Sequence, residues 1–63
     1  MHGRIAVSAY CHALVLGFTN SKAREIAERV FLELDPDAPA DRMRSTLDRE
    51  IAAVELRYGT AMH

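Results

Sequence analysis

The chain contains a single cysteine, Cys11, among its 63 residues, so an internal disulfide is excluded. Secreted domains of this size usually depend on several disulfides, so we expect a reducing, cytoplasmic compartment. A chain this short buries only about 60% of the surface that its unfolded form exposes, which leaves a thin margin of stability. Close helix packing or a partner subunit must therefore supply the missing stabilisation.

An excess of charge of either sign is also lacking. Eight basic residues stand against nine acidic ones, for a formal net charge of −1. Nucleic-acid-binding domains usually carry a basic surface, so this balance argues against such a partner. The only lysine is Lys22, and seven arginines with frequent alanine are typical of a GC-rich bacterial or phage genome.

No apolar run is long enough to cross a membrane. The longest, residues 5–18, includes Ser8 and His12, whereas a spanning helix needs about 20 apolar residues. Residues 21–23 imitate a secretory cleavage site, but Arg4 is the only charged side chain before the run, so we predict no signal peptide. We expect one domain over residues 1–63.

Two clusters of turn-forming residues divide the chain, at 17–21 and at 35–39. Glycine and asparagine tolerate a positive φ, and proline cannot continue a helix. The three segments between these breaks have helical length. The sequence therefore predicts an all-α, three-helix domain with helices at about 4–17, 21–34 and 39–58.

The second and third segments carry apolar stripes at helical spacing. The stripe of the second segment consists of Ala23, Ile26, Ala27, Val30, Phe31 and Leu34. That of the third consists of Ala40, Met43, Leu47, Ile51, Val54 and Tyr58. The side chains that we expect to be buried within the protomer are Ile26, Val30, Phe31, Leu47, Ile51 and Val54.

The first segment is apolar on most of its circumference. As a helix it has one polar stripe, formed by Arg4, Ser8 and His12. A strand is the alternative, but 15 residues are long for a strand, and the Ala and Leu content favours a helix. Two amphipathic helices cover only part of such a helix, so we expect it to dimerise or to dock on another protein.

Six apolar residues are the candidate interaction residues. Four lie on or directly after the first helix, where we expect one or more of them to remain partly in water, and two lie opposite the stripes of the other helices. They are Val7, Tyr10, Leu14, Phe18, Leu32 and Leu56.

No catalytic, metal or cofactor site is predicted. Cys11 and His12 are adjacent and point about 100° apart on a helix, and His2 and His63 stand at opposite ends of the chain. A second candidate site is the acidic group of Asp35, Asp37 and Asp41. It lacks the glycine and the distal glutamate of a calcium loop and is explained by turns and helix capping. No nucleophile has an identifiable partner base, so we expect no enzyme.

Two segments permit a DNA-binding interpretation. Residues 26–30 resemble the first helix of a helix-turn-helix, and residues 42–49 resemble its recognition helix. The turn-forming stretch between them is longer than the three or four residues of that motif, and it contains Asp35 and Asp37, which would repel phosphates. A ribbon-helix-helix with a strand at 4–10 leaves residues 11–19 unexplained. We therefore interpret Arg42, Arg44 and Arg49 as a solvated face.

These patterns favour a small, non-catalytic helical interaction module. It would act as an inhibitor, an antitoxin-like protein or an assembly factor, either as a homodimer or docked on a larger protein, without a nucleic-acid or membrane partner. The alternatives are a DNA-binding transcriptional regulator of helix-turn-helix-like type and a structural subunit of a larger enzyme complex.

Overall fold

The computed structural model describes the backbone of residues 2–59 and the side chains of residues 3–57. It contains α1 (His2–Val15), α2 (Asn20–Leu34) and α3 (Ala40–Val54), which continues into a π-helical turn at Glu55–Gly59. No strand occurs within these residues. The predicted all-α, three-helix fold is confirmed, and the first segment is a helix. The predicted place of Tyr58 in the third stripe lies outside the described side chains.

The turn after α1 ends that helix with two hydrogen bonds to its last carbonyls. The N–H of Gly17 donates to the Leu14 carbonyl at 3.0 Å, and the N–H of Phe18 donates to the Ala13 carbonyl at 3.1 Å. Gly17 has a φ of 100°, which a residue with a side chain rarely adopts. These are the bonds of a Schellman motif. The turn reverses the chain within residues 16–19, so α1 and α2 form a helical hairpin.

The other two helices begin at residues with extended backbone. The Thr19 hydroxyl accepts a hydrogen bond from the Lys22 N–H at 3.2 Å and caps α2, as its position in the first break predicts. Pro39 immediately precedes α3, and its carbonyl accepts from the Met43 N–H at 3.0 Å. The sequence predicts that the helix begins at Pro39, whereas in the structure it begins one residue later, at Ala40.

The first helix lies in contact with both others and packs most extensively against α2. Ala6 and Ala13 on α1 and Ala23 and Ala27 on α2 are almost completely buried. Side chains this small let helix axes approach closely, so α2 covers more of α1 than large side chains would allow. The larger buried side chains are Val7, Tyr10, Phe31, Met43, Leu47 and Ile51.

Half of the predicted core is confirmed. Phe31, Leu47 and Ile51 are buried, whereas Ile26, Val30 and Val54 are only partly buried and pack against the edge of the core. The prediction of full burial was wrong for these three. On α2, the buried line runs through positions 23, 27 and 31, so the two β-branched residues lie on its flank.

Two contacts position α3. A methyl group added at Gly3 would lie 2.7 Å from Thr46 Cγ2, so α1 and α3 approach closely there. Arg24 Nη1 of α2 lies 2.6 Å from Asp48 Oδ1 of α3, and Arg24 Nε lies 3.4 Å from Glu28 Oε2 on its own helix. The hydrogen bond to Asp48 is the main cause of the raised pKa of Arg24. Because these side chains remain partly in water, the pair contributes at most about 1 kcal/mol.

Truncating Phe31 tests the core. Phe31→Ala removes a buried ring and should lower the free energy of unfolding by about 3–5 kcal/mol, enough to unfold a domain of this size. Urea denaturation followed by circular dichroism measures the loss. The neighbouring Leu32→Ala is the control and should cost about 1 kcal/mol or less, since Leu32 is exposed. An unchanged transition for Phe31→Ala would place Phe31 outside the core.

Candidate protein-interaction surface

The most exposed apolar segment of the described chain surrounds the turn between α1 and α2. Val15 is 84% exposed, Leu16 is 64% exposed and Phe18 is 45% exposed. Single exposed leucines or valines are ordinary on protein surfaces. Three large apolar side chains within four consecutive residues form a patch, and such patches often mark binding sites.

An open groove adjoins this segment, between the second half of α1 and the first half of α2. We call it the hairpin-tip groove. Its volume is about 390 Å³, and its lining residues are Ser8, Ala9, His12, Ala13, Leu16, Phe18 and Ile26. Ala13 is buried and Ala9 is half-buried, so small side chains form the base, while Leu16 and Phe18 rise at one end. The groove is therefore shallow, mostly apolar and accessible.

The α1 side of the hairpin-tip groove and the adjoining turn carry no formally charged side chain. Residues 5–21 contain no Asp, Glu, Lys or Arg. The first charged residue of α2, Lys22, lies 3.9 Å from Glu25 and is partly neutralised by it. A surface of this kind offers little to a phosphate or to a strongly charged ligand, and it suits another uncharged protein surface.

The structure brings Ser8 and His12 into the same groove, one helical turn apart. A nucleophilic serine needs a hydrogen-bonded base and a further group that orients this base. No hydrogen bond joins these two described side chains, and no carboxylate lines the groove. Their positions account for the polar rim of the groove.

Two of the predicted interaction residues are buried within the protomer. Val7 is 5% exposed and Tyr10 is 4% exposed, so the exposure that we expected among the four residues of the first segment does not occur at these two. The physical reason is that α2 and α3 contact α1 on different sides, and α1 turns its polar stripe outward. Leu14 is half-buried against the core, and Phe18 lines the groove as an exposed residue.

The remaining two candidates lie elsewhere. Leu32 and Leu56 are 40% and 81% exposed, as expected from their positions opposite the stripes, but neither lines the hairpin-tip groove. Sequence reasoning missed Leu16, Ala9 and Ile26. For Leu16 a signal existed: it follows His12 by four residues, so it continues the polar stripe of α1 and faces outward with it.

The other candidate sites among the described residues bring few reactive or metal-ligating side chains together. Cys11 is half-buried in a second groove, between α1 and α3, whose charged side chains are Arg4, Glu50 and Arg57. Among the described residues, no group of three or more His, Cys, Asp or Glu side chains converges as a metal site would require. His63 lies outside the described residues. No helix in the described part of the chain has the length and apolarity that a membrane span needs.

The three arginines of α3 lie on exposed positions. Arg44 is 3.7 Å from Asp41, and Asp48, one turn further along, is paired with Arg24 of α2. Carboxylates are therefore interleaved with Arg42, Arg44 and Arg49 on this helix. Such mixed charge is typical of a solvated helix face.

Compared with family models, curated proteins and solved structures, the chain matches none of them. The function is therefore inferred from the hairpin-tip groove and the apolar residues beside it. Its defining features are exposed apolar side chains, a shallow groove beside them and the scarcity of charge around both.

Burial raises the pKa of Tyr10 above its ordinary value, and the nearby charge of Glu55 raises it further. The neutral phenol therefore contributes stability that is present below about pH 10 and is lost as the pH rises through the raised pKa. We expect Tyr10→Phe to remove this part of the alkaline loss of stability. The measurement is urea denaturation between neutral pH and about pH 11.

A spectroscopic control isolates Tyr10 from the second tyrosine. In a Tyr58→Phe background, the tyrosinate absorbance at alkaline pH should rise with a midpoint above that of a free tyrosine. A midpoint at the free value, with an alkaline transition unaltered by Tyr10→Phe, would show that Tyr10 is accessible to water.

Proposed function

We propose that this chain is a small, non-catalytic helical interaction module whose hairpin-tip groove binds another protein surface. It acts either as a homodimer or docked on a larger protein, in the manner of an inhibitor, an antitoxin-like neutraliser or an assembly factor. The observation that carries the proposal is the exposure of Leu16 and Phe18, which line a mostly apolar groove.

Exposed apolar surface is costly at this position. Phe18 is the residue of the Schellman motif whose side chain commonly packs against the last turn of the helix, so part of its apolar character serves the turn. Leu16 has no such role, because the backbone hydrogen bonds of the turn are made without its side chain, and a polar residue there would leave the turn intact. Retaining a large apolar side chain at position 16 is useful when a second surface removes it from water.

The composition of the core supports the same conclusion. Among the side chains of residues 3–57, four of the ten buried core residues are alanines, and Leu47 is the only large side chain that is fully buried. Alanine contributes little apolar area, so the intramolecular burial of this domain is small even for its length. An intermolecular contact would add stability where the core supplies little.

A capture experiment with matched baits tests the proposal. The tagged chain, Leu16→Asp and Leu56→Asp serve as baits in lysate of the native host. Both substitutions place the same carboxylate at an exposed leucine, but only Leu16 lines the groove. We expect one stoichiometric partner, either the untagged chain or a larger protein, to be retained by the first and third baits and lost by Leu16→Asp.

Circular dichroism of the purified baits shows whether each remains folded. Equal recovery of the same partner by all three folded baits would show that the contact lies on another face. Absence of any stoichiometric partner from all three would contradict an interaction module.

A further inference from the structure

Building on the interaction module proposed above, we infer that the occupant of the hairpin-tip groove is a second copy of this chain, related to the first by twofold symmetry. A twofold interface uses the same patch on both subunits. The patch must therefore contain both the protruding and the receiving elements, and its charges must be compatible with themselves.

The shape of the groove meets the first requirement. Leu16 and Phe18 protrude at one end, and the base next to them is formed by Ala9 and Ala13. A twofold operation brings the protruding end of each copy to the receiving end of the other. The large side chains of one copy then cover the small ones of its partner, as in the close packing of helices within a protein.

The charge distribution meets the second requirement. Residues 5–21 carry no formally charged side chain, so two copies can approach through this segment without repulsion between like charges. At the edge, Lys22 and Glu25 lie 3.9 Å apart on each copy and form a locally neutral pair. A partner with charge mainly of one sign would find no complementary charge on the α1 side of this surface. A second copy of the same uncharged surface requires no complementary charge.

The available apolar area fits one side of an ordinary interface. A stable interface buries about 800 Å² on each partner, of which a little more than half is apolar, or about 450 Å². Ile5 lies three helical turns before Leu16 on the same face of α1 and is also about half exposed. Together with Leu16 and Phe18, it offers on the order of 100 Å² per side chain, or about two thirds of the apolar area that one half of a dimer requires. The apolar atoms of Ala9, Ala13 and His12, which also line the groove, add to this area.

Sedimentation velocity over a wide concentration range tests the inference. The expected mass is twice the 7.0 kDa of the chain, and the melting temperature should rise with concentration. Leu16→Asp should weaken dimerisation by about a hundredfold or more, because twofold symmetry places two such carboxylates in the same interface. Leu56→Asp, the matched control, should leave the dimer unchanged.

A second variant covers the case in which Leu16→Asp fails to fold. Ser8→Arg introduces a large cation at an exposed position of α1 that lines the groove, and arginine is compatible with a helix. It should also give a folded monomer, as judged by circular dichroism and sedimentation.

Two results would overturn the inference in distinguishable ways. A wild-type chain that stays monomeric at high concentration, while capture of a different protein still depends on Leu16, would reject the second copy and leave the interaction module standing. A dimer that survives both Leu16→Asp and Ser8→Arg as folded variants would reject the hairpin-tip groove as the interface.

Discussion

The packing of α1 between the two other helices is the constraint on which the rest of the structure depends. An α-helix has more circumference than two neighbours can cover, so one face of α1 must meet water. Arg4, Ser8 and His12 occupy that face over most of its length. At the last turn the same line of positions arrives at Leu16, which is apolar, and the polar face ends there. The exposed apolar surface is thus a direct consequence of where α1 lies.

The turn chemistry determines what accompanies Leu16. Gly17 adopts the positive φ that ends α1, and the next two residues satisfy the last carbonyls of α1 and the first amides of α2. This arrangement holds Phe18 beside Ala13 at the entrance of the groove. A short, well-capped turn therefore presents a rigid apolar edge. A rigid edge loses little conformational entropy on binding, which favours its use as an interaction surface.

The sequence predicts the elements well and their packing less well. The helices and breaks follow from local chemistry, since Gly17, Pro36 and Pro39 act on their own neighbours along the chain. Burial depends on which helix lies beside which, and periodicity does not contain that information. For this reason periodicity did not separate Val7 and Tyr10, which lie in the core, from the exposed Phe18, and Ile26 and Val30 were expected in the core but lie at its edge. The Arg24–Asp48 contact also joins residues that only the fold brings together.

A second molecule of this chain should cover the hairpin-tip groove. Nuclear magnetic resonance of the amide groups over a dilution series reports this contact residue by residue. We expect concentration-dependent shifts that cluster at Ser8, His12, Leu16, Phe18 and Ile26, with the exposed positions 41, 42, 44 and 45 of α3 unchanged. Shifts confined to α3, or none at any residue across the series, would contradict it.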